Sequence, residues 1–190
     1  MIYNNYTMDV ITAGQNILAE LGNSFNRLHA PQVSQLVEEI RQAKRIFCVG
    51  AGRSRVLLNA FCMRLNHLGL EAYVAGNIPC PPAKKGDLIV ASSGSGATPS
   101  VNAILKAAHG AGARIALITA SPASDPAEIA DIIVDVKAPN ALVNRENQES
   151  SQLMRTLFEQ VCFILYDSII TVLSANVPRE EIAARHTNLE

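Results

Sequence analysis

Apolar residues follow two different periods along the chain. Val10, Ile11, Ile17, Leu18, Leu21, Phe25 and Leu28 recur at helical spacing, and Pro31 opens a second stretch that puts Val33, Leu36, Val37 and Ile40 on one face. From Arg45 the pattern turns into short β-rich runs at Arg45–Gly50, Ala72–Ala75, Asp87–Ser92, Arg114–Thr119 and Ile132–Val136. Each is almost continuously apolar, as strands covered on both faces require. Helical segments separate them at Ser54–Leu68, Pro99–Gly110 and, more briefly, Pro126–Ala130. This alternation predicts an α/β fold in three layers, a five-stranded parallel sheet sandwiched by helices, with two leading N-terminal helices.

A polar stretch, Asn140–Gln152, follows the last strand and carries Arg145, Glu146 and Glu149. It leads into a helix from Leu153 to about Ala175 that is apolar almost all round, a pattern that belongs in an interior or between subunits. Pro178 then starts a last short helix before the terminal RHTNLE. A length of 190 residues suits one domain: residues 1–44 as leading helices, 45–137 as the βα core, 153–175 as the long helix and 178–190 as the C-terminal segment.

Composition narrows the partners. With 17% charged residues and a net charge of −1, the chain is neither a disordered tail nor a nucleic-acid binder, which shows a basic excess. The 48% hydrophobic content exceeds what one subunit buries, so a homodimer or homotetramer is expected. No apolar run reads as a membrane span and the N-terminus lacks the order of a signal peptide, which predicts a cytoplasmic protein with no membrane partner. Cys48, Cys62, Cys80 and Cys162 lack CxxC spacing, and His29, His67, His109 and His186 are equally dispersed. Neither a disulfide framework, a metal site nor a bound cofactor is expected.

Ligands in open parallel sheets bind beyond the carboxyl ends of the strands, which directs attention to the turns leaving the first and third runs. The first is Gly50-Ala51-Gly52-Arg53-Ser54-Arg55, where Arg55 replaces the third glycine of a dinucleotide fingerprint and no acidic residue closes the second strand. No GxxxxGK[ST] occurs either. The second turn is Ser92-Ser93-Gly94-Ser95-Gly96-Ala97-Thr98-Pro99. Pro99 suits the first position of a helix and Thr98 its N-cap, so the helix would aim free N–H groups at the loop. Hydroxyls of Ser93, Ser95 and Thr98 would add donors. Glycine and serine also make ordinary flexible turns. Two such turns, each leaving a buried strand and opening a helix, favour a site for a phosphate-bearing small molecule.

Strand, GAGRS, helix, strand, strand, SSGSGAT, helix, strand resembles the sugar isomerase (SIS) domain over about residues 30–175. That resemblance implies a flavodoxin-like, SIS-type sheet and a phosphosugar held by Ser54 of the first turn and Ser93, Gly94, Ser95 and Thr98 of the second. Gly52 and Arg53 are further substrate-binding candidates, Arg53 either reaching the phosphate or being simply solvated. MRLNHLGLEAYVAG at Met63–Gly76, TLFEQ at Thr156–Gln160 and RHTNLE at Arg185–Glu190 extend the similarity to the 6-phospho-3-hexuloisomerase members of that family. These interconvert a 3-hexulose 6-phosphate and fructose 6-phosphate.

The narrower resemblance implies a cis-enediol route with Glu159 as the base. It assigns His186 to ring opening or to moving protons between the two oxygens, in its own or a neighbouring subunit. Apolar neighbours raise a carboxyl's affinity for the proton, and Glu159 is flanked by Phe158, Cys162 and Phe163. As residues alone, Glu159 could equally pair with Arg155 one turn earlier, His186 could be a surface histidine, and His67 reads as a helix-end residue. The chain departs from its relatives at Ala97, where they carry Glu in SGSGET, and in the linker GNIPCPPAKKGD. The alternatives are an isomerase of a pentose or heptose phosphate and a non-catalytic phosphosugar sensor. The leading helices hold only Arg27, Arg41 and Lys44 as basic residues, so a sensor would need a separate DNA-binding partner.

Overall fold

The computed structural model of the chain describes residues 8–139 and 150–189. Residues 140–149, with Arg145, Glu146 and Glu149 of the predicted polar stretch, lie outside them, as do residues 1–7 and Glu190. Two helices lead, α1 (Val10–Phe25) and α2 (Ala30–Gln42). Asp9 caps α1, its carboxylate accepting from the N–H groups of Ile11 and Thr12 at 2.9 and 3.0 Å. The core then alternates as β1 (Ile46–Gly50), α3 (Gly52–His67), β2 (Ala72–Val74), β3 (Leu88–Ser92), α4 (Pro99–Gly110), β4 (Arg114–Thr119), a 3-10 turn (Asp125–Ile129) and β5 (Ile132–Asp135). Helix α5 (Thr156–Ser174) and the short α6 (Arg179–Ala184) complete it.

The five strands form one parallel sheet in the order β2-β1-β3-β4-β5. Because alternate residues of a strand point to opposite faces, each strand feeds two cores. Ile46, Cys48, Val90 and Ile118 pack with α2, α3 and α5 on one face. Phe47, Val49, Ile89 and Leu117 pack with Val101, Leu105 and Ala108 of α4 on the other. The second face is the thinner one, since the Pro126–Ala130 segment predicted as helical is a single 3-10 turn. Chain order reverses between β1 and β3, and Gly50 lies in register with Ser92, so the turns leaving these strands stand side by side.

Three expectations are corrected. Helix α3 begins at Gly52 rather than Ser54, with Gly52 itself at φ +56°, a left-handed turning point between β1 and the helix that costs glycine little. Helix α5 begins at Thr156 rather than Leu153, because Met154 at φ +55° breaks the run before it. The third concerns α5 as an apolar run. Leu157, Phe158, Val161, Cys162, Leu165, Tyr166 and Ile169 are buried, while Phe163, Ile164 and Val172 are exposed. By length and composition α5 also passes as a membrane span, contrary to the reading that no apolar run does. Its buried face is packed into the core beside α3, as expected of a core helix.

At the end of the sheet opposite the turns, the buried Asp87 accepts from Arg45 at 2.6 and 3.1 Å and from the Lys84 N–H at 2.8 Å. Burial works to raise the Asp87 carboxyl, and the bonds from Arg45 and Lys84 outweigh it, holding it below the ordinary aspartate range. A depressed native value means stability that is present above the unfolded value and lost as pH falls through the native one. Urea midpoints measured from pH 7 downward should therefore fall below about pH 4. Asp87→Asn should lower the midpoint at pH 7 and make that acid loss shallower.

Candidate phosphosugar site

A cavity of about 370 Å³ opens where the two turns meet the start of α5. Its floor and first wall come from Ser92, Ser93, Gly94, Ser95 and Thr98, its second wall from Ala51, Gly52, Arg53 and Ser54. Leu153–Thr156, Phe158 and Glu159 close the third side. The structure thus brings Ser54, Ser93, Gly94, Ser95, Thr98, Gly52, Arg53 and Glu159 to one place, although they are spread over more than half the sequence.

The second turn is shaped for an anion. Ser93 is buried, and its N–H is held by the Ile118 carbonyl at 3.0 Å, which fixes the turn to the sheet. Gly96 adopts φ +61°, and a Cβ there would sit 2.0 Å from the Ser124 Oγ, so the loop closes only with glycine. Gly94 lies under Arg155 and Phe158, where a Cβ would come within 3.1 Å of each. Among the described residues, the N–H groups of Gly94 and Ser95 make no hydrogen bond. Thr98 is the N-cap of α4, as predicted, but its side chain does not cap the helix. Its hydroxyl instead lies 3.1 Å from the Ser93 Oγ. The first-turn N–H groups of α4 therefore have no side-chain cap, and two hydroxyls stand beside them, an arrangement that suits a phosphate.

Glu159 sits in the first turn of α5 with 15% of its side chain exposed, and its Oε2 accepts from the Arg53 Nε at 2.5 Å. The pairing across the cavity replaces the alternative pairing with Arg155. The Arg53 side chain is 68% exposed and holds the carboxylate, and Arg53 lines the same cavity as the second turn. Beneath the cavity, burial pushes the Cys162 thiol up to about 12, so the thiol next to Ser92 is protonated and inert at neutral pH.

His186 is not brought into this cavity. Its ring packs against His67, with centroids 5.2 Å apart. His67 ends the sixteen-residue α3 whose first residue, Gly52, lines the cavity, which puts His67 and Gly52 about 22 Å apart along the helix. Ala97, the position where the relatives carry Glu, is exposed and does not line the cavity; nor does any residue of the linker from Gly76 to Asp87. Sequence reasoning missed the wall Leu153–Thr156, because the residues before α5 carry no turn signature and had been assigned to the helix itself.

Comparison with known proteins finds relatives over most of the chain. Residues 39–151 match the family model for the SIS domain. The chain is 38% identical over 173 residues to a 3-hexulose-6-phosphate isomerase of Mycobacterium gastri, covering 90% of this chain and 86% of that one. It is 35% identical to a protein of the same name from Bacillus subtilis (strain 168), covering 92% and 95%. A Methanococcus jannaschii protein, whose crystal structure is described as inferring the function of a 3-hexulose-6-phosphate isomerase, is 32% identical. It superposes with a TM-score of 0.76 over 93% of this chain and 96% of its own.

Proposed function

The chain belongs to the SIS domain family, and from that membership and the geometry of the cavity we propose that it interconverts 3-hexulose 6-phosphate and fructose 6-phosphate through a cis-enediol. The observation that carries the proposal is the meeting in one cavity of an uncapped helix N-terminus, two buried or half-buried hydroxyls and a fixed carboxylate. The names of the relatives supply the sugar.

In this reading the phosphate docks on the second turn, taking hydrogen bonds from the Gly94 and Ser95 N–H groups, the Ser93 and Thr98 hydroxyls and the first turn of α4, with Ser54 closing from the other side. The sugar carbons then extend toward α5. Glu159 removes the proton from the carbon beside the carbonyl; that electron pair forms the C=C bond and the carbonyl oxygen takes up a proton, giving the enediol. The neighbouring hydroxyl then loses its proton to become the new carbonyl as the same carboxyl returns its proton to the former carbonyl carbon. Arg53 holds the carboxylate over the substrate, and Gly52 lets the backbone of the first turn approach it. This route needs only acid–base groups. His186 lies outside the cavity of its own chain, so its part in ring opening or proton transfer requires the cavity of a neighbouring subunit in a homodimer or homotetramer. The exposed apolar residues Val10, Ile11 and Leu18 of α1 are surface that such an assembly would cover.

Supplied with fructose 6-phosphate, the protein is expected to form 3-hexulose 6-phosphate, detected by chromatography of the equilibrated sugars. Turnover confined to a pentose or heptose phosphate would assign it to another isomerisation. Phosphosugar binding without turnover would make it a sensor.

A further inference from the structure

The strap that leads into the cavity wall before α5 is held by a carboxylate from outside the site. Glu20 on α1 fills all four acceptor positions with donors from the strap Ser150–Gln152. Its Oε1 takes the Ser151 N–H at 2.8 Å and the Ser151 hydroxyl at 2.7 Å. Its Oε2 takes the Ser150 hydroxyl at 2.6 Å and the Gln152 Nε2 at 3.1 Å. Inside the strap, the Gln152 N–H donates to the Ser150 Oγ at 3.1 Å. The next residues, Leu153, Met154, Arg155 and Thr156, all line the cavity. Met154 is left-handed, and the Arg155 stem lies against Gly94 of the phosphate turn.

A left-handed methionine is a backbone conformation that other contacts must hold in place. On its downstream side the N–H and hydroxyl of Thr156 donate to the Leu153 carbonyl at 3.1 and 2.7 Å. On the upstream side, Glu20 ties the strap to α1. We propose that Glu20 is a positioning residue for the substrate, and that its carboxylate sets the distance between the Leu153–Thr156 wall and the phosphate turn. The inference rests on the phosphosugar reading of that cavity. It extends the site to a residue of the leading helix that does not line the cavity. Displacements of about 1 Å in a positioning group cost up to about 100-fold. Here the expected effect falls on binding, because Glu20 holds the strap that leads into the wall and makes no hydrogen bond to the base.

Glu20→Ala should raise KM for fructose 6-phosphate about 10-fold while kcat stays within about 3-fold. Glu20→Gln keeps one oxygen with its two donors and should lie between the two. Amide hydrogen exchange supplies a readout that does not depend on the reaction: peptides spanning residues 150–155 should exchange faster in Glu20→Ala, with the β1, β3 and β4 peptides unchanged. A wild-type KM in Glu20→Ala, or unchanged exchange over residues 150–155, would overturn the proposal. A kcat loss larger than the KM change would overturn it too. If the alanine variant does not fold, the glutamine variant carries the same test. Failure of the functional reading shows separately, as absence of turnover by the wild-type protein.

Discussion

Replacing Glu159 with Gln is expected to lower the rate of isomerisation by about 1,000-fold or more while phosphosugar affinity changes little. The carboxamide has nearly the same shape and can still lie beside Arg53, but it cannot accept the proton from carbon. A carboxylate in this role contributes about 100- to 10,000-fold, and no second carboxylate lines the cavity among the described residues to take over. Because Glu159 is ion-paired, a control must separate loss of the base from loss of the pair. Arg53→Ala removes the pair and leaves the base, so it should cost far less than Glu159→Gln. Calorimetric titration with fructose 6-phosphate, alongside the rate, tests both. A Glu159→Gln protein that retains turnover, or an Arg53→Ala protein equally dead, would remove Glu159 from the base role.

The second large effect is expected at the phosphate turn, and it should appear in KM. Ser93→Ala deletes a buried hydroxyl that donates to the substrate's phosphate in the proposed complex. Hydrogen bonds to charged groups contribute about 1.5–3 kcal/mol, which corresponds to about 10- to 150-fold in affinity. Thr98→Val should act in the same direction. Their combination should cost less than the sum, because the two hydroxyls are bonded to each other at 3.1 Å and removing either already releases its partner. Initial-rate kinetics of the single and double variants measure this coupling. Full additivity would show that the hydroxyls do not act together on one phosphate.

The sheet was legible in the sequence for a simple reason. Runs such as Asp87–Ser92 and Arg114–Thr119 are buried on both faces, and continuous apolarity is the pattern that such strands leave. The phosphate turn was legible because its chemistry is local: Thr98 and Pro99 mark a helix start, and the glycines around them mark a close backbone approach. What could not be read was distance in space between residues far apart in the chain. Arg53 and Glu159 are separated by 106 positions and Glu20 and Ser150 by 130, and no periodicity links either pair. The start of α5 was misplaced for a related reason: Leu153 and Met154 continue the apolar pattern of the helix although the backbone has turned to build the cavity wall.

Fructose 6-phosphate incubated with the protein in D₂O and followed by NMR tests the central claim most directly. A 3-hexulose route removes the proton at C3 of fructose 6-phosphate, so the recovered sugar should carry deuterium at C3, at a rate that Glu159→Gln abolishes. Deuterium at C1 would instead reveal a 1,2-isomerase, and the absence of exchange at either carbon would contradict catalysis on this sugar.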